Sequence, residues 1–214
     1  MLLGFAMLSL MFGSILSWRA EKELTAWTTE RHIPTKTETQ IVEKWLYQAK
    51  RYTMNNPEVS EQLGRLYEWE SLQARVGASN DVQQNQEKAD LEAKEQYMAS
   101  LRSRPGWAYD WVNLGVVLHN LGKKDESDAV LERAVRYGSY EPRVLQRMVE
   151  LNLQNWPEEK NKNHMETAAQ NGLQSFPKMT LARAEAYGLL SDFCNRYARQ
   201  GPEIKNCEQR ISRL

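Results

Sequence analysis

The first eighteen residues, Met1 to Trp18, carry no charged side chain and include Leu2, Leu3, Phe5, Leu8, Leu10, Met11, Phe12, Ile15 and Leu16. As a helix this run spans about 27 Å, against a hydrocarbon core of about 30 Å, and sets Trp18 and Arg19 at the interface. It reads as an uncleaved membrane anchor. A cleaved secretory signal and a buried core helix are the competing readings. The first is disfavoured because no basic residue precedes the apolar stretch and no small-x-small site follows closely. Arg19 and Lys22 after the run, mixed with Glu21 and Glu23, cast a weak vote for leaving the body on the inner side.

Beyond the anchor the chain is polar. Its mean hydropathy is −0.69, so apolar residues are sparse and must be gathered on one face of each element. Lys and Arg number 28 and Asp and Glu 28, interleaved throughout. A nucleic-acid partner, which calls for a basic excess or stripe, is therefore not expected.

Residues 19–36, rich in Thr and broken by Pro34, read as a juxtamembrane linker, and residues 37–214 as one helical domain. Ile41, Trp45, Tyr47, Ala49 and Tyr52 suggest a first helix that ends at Asn55-Asn56-Pro57. A second runs from Pro57 to Gly77. Ser79-Asn80-Asp81 offers N-cap chemistry for a third, reaching Ser103. Further helices are expected at Ala108–Leu121, Lys124–Tyr137, Pro142–Asn155, Glu158–Ser175, Thr180–Arg199 and Pro202–Ser212, parted by Gly and Pro breakers. No stretch alternates as a strand would. The expected fold is all-α: an N-terminal transmembrane helix followed by an irregular α-solenoid of antiparallel helix pairs.

Trp111, Leu114, Gly115 and Leu118 are followed by the Gly122–Ser127 turn and by Leu131-Glu132-Arg133-Ala134. This unit resembles a tetratricopeptide (TPR) repeat. A looser copy runs through Leu63, Gly64 and Tyr67 to Ala93, Tyr97, Ser100 and Pro105, extended by 17 residues relative to the first. A long polar-faced helical hairpin is the alternative for that stretch. The TPR resemblance implies an inner groove lined by Tyr109, Val112, Val116 and His119, where a partner segment would dock; packing of these residues against the helix ending at Ser103 is the competing reading. Arg102 and Arg104 either meet an acidic partner or stay solvated, the ordinary state of such pairs.

The block Arg104-Pro105-Gly106-Trp107-Ala108-Tyr109-Asp110-Trp111-Val112-Asn113-Leu114, with Gly138-Ser139-Tyr140-Glu141-Pro142-Arg143-Val144 after it, resembles the VpsP-type polysaccharide biosynthesis proteins of Gram-negative bacteria. The resemblance covers roughly residues 101–156. It implies an inner-membrane, single-pass accessory protein with a periplasmic body, whose partners are polysaccharide assembly proteins. An anchored adaptor for folding or quality control of secreted proteins is the rival reading.

His32, His119 and His164 stand apart from any metal-ligand spacing, neither cysteine belongs to a C-x-x-C pair, and no phosphate loop, nucleophile elbow or zincin motif occurs. Neither an enzyme, nor a metal, nor a cofactor is expected. Cys194 shares a stripe with Leu190 and Tyr197, and Cys207 one with Ile204 and Ile211, so both would face one seam. In an oxidising compartment a disulfide there would contribute about 3 kcal/mol; in a reducing one, two buried thiols are expected.

Overall fold

The structure is a computed structural model. It describes residues 2–30, 32–77, 81–138 and scattered positions from 141 to 151, with side chains from Met7 onward. The chain divides into two compact units, Met1–Gly138 and Ser139–Leu214. Six helices make up the described part of the first: α1 Leu2–Glu30, α2 Lys36–Tyr52, α3 Pro57–Val76, α4 Val82–Ser103, α5 Ala108–Asn120 and α6 Lys124–Gly138. The described residues contain no strand. In the second unit the described positions between 143 and 151 are helical, and Val144 and Leu151 are buried. The helices expected beyond residue 157, with Cys194, Cys207 and their disulfide, lie outside the described residues.

The largest departure from expectation is at residues 19–36. No linker follows Trp18: α1 continues unbroken to Glu30. The physical reason is a buried stripe, Leu16, Ala20, Leu24 and Trp27, spaced four, four and three residues apart along one face of a 3.6-residue helix. The Thr residues that suggested a linker sit on the other side, where Thr28 and Thr29 donate to the carbonyls of Leu24 and Thr25 at 2.9 and 2.8 Å. Helix α1 therefore packs antiparallel to α2, from Phe12 beside Tyr52 to Arg19 stacked on Trp45.

Helix α2 begins at a capping box. The Thr35 hydroxyl accepts from the Glu38 amide, and the Thr35 amide donates to Glu38 Oε2 at 2.6 Å. Its buried face is Thr39, Val42, Leu46 and Ala49. The larger apolar residues singled out in the sequence stand one position off that stripe: Ile41, Tyr47 and Tyr52 are exposed. Helix α3 opens with Pro57 in its first turn and the Asn56 side chain capping the Glu58 amide at 3.0 Å. By contrast, Asp81 makes no side-chain capping bond to α4.

The pairs α3/α4 and α5/α6 are antiparallel, and each is closed by a glycine against a large side chain. A Cβ on Gly64 would lie 2.7 Å from Tyr97 Cε1, and one on Gly115 2.6 Å from Leu131 Cδ2. Tyr97 follows its glycine by 33 residues and Leu131 by 16, so the same close approach recurs with α3/α4 longer by the 17 residues read from the sequence. At the α5/α6 crossing Ser127 Oγ donates to the Gly115 carbonyl at 2.7 Å, a contact an alanine there would lose. One apolar core joins α1 to α5 through Leu24, Leu46, Leu63, Leu66, Tyr97 and Val117.

Candidate functional site

Two features of the first unit stand out as candidates. One is the first half of α1. Met7, Leu8, Leu10, Met11, Phe12, Ile15 and Trp18 are exposed, an apolar surface that water does not favour. Among the described residues no helix is long and apolar enough to cross a membrane.

The second half of α1 is held to α3 by a polar clasp. Ser17 Oγ donates to Gln62 Oε1 at 2.8 Å, and Gln62 Nε2 reaches the Ser17 carbonyl and Glu21 Oε2 at 3.3 and 3.2 Å. Arg65 Nη1 lies 2.8 Å from both Glu21 carboxylate oxygens. Burial pushes the Glu21 carboxyl up, but the adjacent Arg65 charge and its hydrogen bonds outweigh this and hold it below the usual range. Trp27 adds an edge contact to Trp69, ring centroids 6.2 Å apart. Because every polar group in the clasp finds a partner in the other helix, α1 is fixed in rotation as well as in position. The sequence signal was modest: Ser17 and Glu21 four apart on α1, and Gln62 and Arg65 three apart on α3.

The other feature is the corner between α4 and α5, built by residues 100–111. Arg104 is its hub. Its Nη2 approaches Glu61 Oε2 at 2.8 Å, Ser100 Oγ at 2.9 Å and Asp110 Oδ2 at 3.2 Å, while its guanidinium stacks 4.9 Å above the Trp107 ring. Trp111 Nε1 donates to the Pro105 carbonyl at 2.7 Å. Neither a solvated arginine nor one awaiting a partner is found: the acids that Arg104 meets are the chain's own. Asp110 is fully buried, with Oδ1 unpartnered, and burial together with the nearby Glu61 charge pushes its pKa up to about 7 despite Ser100 and Arg104.

Of the four residues assigned to a groove on α5, Val112 is 0% exposed and Val116 is buried, whereas Tyr109 and His119 are half-buried. Among the described residues no cluster of His, Cys, Asp and Glu is placed to hold a metal. No protein-family model, curated protein or solved structure matches the chain.

Proposed function

We propose that this chain is a single-pass inner-membrane protein whose TPR-like helical body is periplasmic and acts as a scaffold or accessory factor in exopolysaccharide biosynthesis or export, by holding other proteins. The observation that carries the reading is α1: its uncharged residues 7–18 expose Met7, Leu8, Leu10, Met11, Phe12, Ile15 and Trp18, and the same helix packs on the body from Gly13 onward. An anchor built this way holds its cargo rigidly and close to the bilayer.

The TPR-like part of the reading is supported by consecutive antiparallel helix pairs with a repeated glycine contact, Gly64 to Tyr97 and Gly115 to Leu131. Support for the polysaccharide role comes from the block around Arg104. Its residues build the α4–α5 corner, so the resemblance extends to positions that shape the body. Partner proteins of the polysaccharide assembly would meet the exposed faces of that body, including the partly exposed Tyr109 and His119.

Deleting the gene and measuring cell-surface polysaccharide tests this directly. The expected result is a loss that the full chain restores. Unchanged polysaccharide would contradict the reading and favour an adaptor for secreted proteins. Alkaline phosphatase fused after Gly138 is expected to be active, as a periplasmic body requires.

A further inference from the structure

We infer that the end of the body formed by the α2–α3 and α4–α5 corners is a second lipid contact, seated on anionic headgroups beside the apolar half of α1. This rests on the membrane reading of α1 and adds to it where the body lies.

The α2–α3 corner is fixed to the anchor itself. Phe12 and Tyr52 meet edge to face at 5.3 Å, and Gly13 is so close to the corner that a Cβ there would lie 2.7 Å from Thr53 Cγ2. Gly13 lies five residues before Trp18, about 8 Å along the helix axis. With the corner packed on Gly13 at the headgroup level, Trp18 stands about 8 Å farther out and Met7 to Met11 reach the acyl region, so the corner cannot stand off in bulk water.

Its composition suits that place. Met54 is 83% exposed and held at φ 52°, a left-handed conformation that a β-carbon disfavours, and Asn55 follows at φ 62°. Arg51, one turn earlier, is exposed.

The α4–α5 corner reaches the same end: Arg104 Nη2 is 3.4 Å from the carbonyl of Pro57, the first residue of α3. There Trp107 is 47% exposed and Arg102 is exposed. Glu58 is also exposed at this end, whereas the Glu61 carboxylate is neutralised by Arg104. Exposed Met and Trp flanked by arginines match an acyl boundary with phosphates above it, as aromatic and basic residues do at membrane interfaces.

The test uses the full chain reconstituted in phosphatidylethanolamine–phosphatidylglycerol vesicles, with a diazirine side chain replacing Leu8, Met54, Trp107 or Gln83, one at a time. Gln83 is exposed in the first turn of α4, at the opposite end of the α3/α4 pair. Lipid adducts are expected at 8, 54 and 107 and absent at 83. In phosphatidylcholine alone the adducts at 54 and 107 are expected to fall while those at 8 persist. Adducts at 8 with none at 54 and 107 would overturn the second contact and leave that end to a protein. Undiminished adducts at 54 and 107 in phosphatidylcholine would overturn the headgroup charge as its basis. No adduct at 8 would instead overturn the membrane reading on which it rests.

Discussion

Gly13 and Thr53 touch: a Cβ added to Gly13 would lie 2.7 Å from Thr53 Cγ2 and 2.9 Å from Tyr52 Cβ. Through this contact the apolar half of α1 and the end of α2 are one packed unit. Gly13→Ala is therefore expected to force the helices apart at a cost of roughly 1–3 kcal/mol. Thermal unfolding of the variant checks this, with Gly13→Ala/Thr53→Ala expected to recover part of the loss because the nearer atom is gone.

The two glycine crossings differ in how they can yield. Tyr97 is fully buried and its hydroxyl donates to Glu68 at 2.5 Å, so the ring facing Gly64 has nowhere to go. Leu131, facing Gly115, is half-buried and flexible. Gly64→Ala is expected to destabilise by roughly 2–3 kcal/mol and Gly115→Ala by about 1 kcal/mol, measured by denaturant midpoints at constant slope.

Asp110 makes stability depend on pH in an uncommon direction for a carboxylate. Its folded pKa of about 7 lies above the ordinary 3.8, so between these values the folded state binds a proton that the unfolded state has released. This contribution is complete below pH 4 and is lost as pH rises through 7, at up to about 1.4 kcal/mol per pH unit. Glu21, held low by Arg65, acts in the opposite sense and loses its contribution as pH falls below the usual carboxylate range. Asp110→Asn is expected to flatten the decline in melting temperature between pH 4 and 7. An unchanged slope would contradict the assignment.

Met54 occupies a left-handed backbone with its side chain exposed and outside the core. Met54→Gly relieves that conformation and removes no packing, so stability is expected to hold or to rise by up to about 1 kcal/mol. A clear loss on chemical denaturation would mean that the side chain packs within the fold.

Much of the helix plan was legible because breakers and periodicity agree. The start of α3 at Pro57 and the end of α4 at Ser103 fall where the sequence puts them, and Gly122, at φ 75°, takes the turn its position demands. What misled was size and polarity. On α2 the eye falls on Ile41 and Tyr47, yet tight packing against α1 and α3 selects the smaller Val42 and Leu46. Thr-rich residues 25–29 look like a linker until Leu24 and Trp27 are seen to extend the face of Leu16 and Ala20. Arg104 looks like a surface cation because its acids, Glu61 and Asp110, come from two other helices and only tertiary structure brings them together.

The central claim is that α1 is both anchor and first helix of the body. Hydrogen exchange of the full chain, with and without a phosphatidylethanolamine–phosphatidylglycerol bilayer, measures both roles at once. Residues 13–30, packed on α2 and α3, are expected to be protected in either condition, and residues 7–11 to lose exchange only in the bilayer. Immediate exchange across 13–30, or no effect of the bilayer on 7–11, would contradict it.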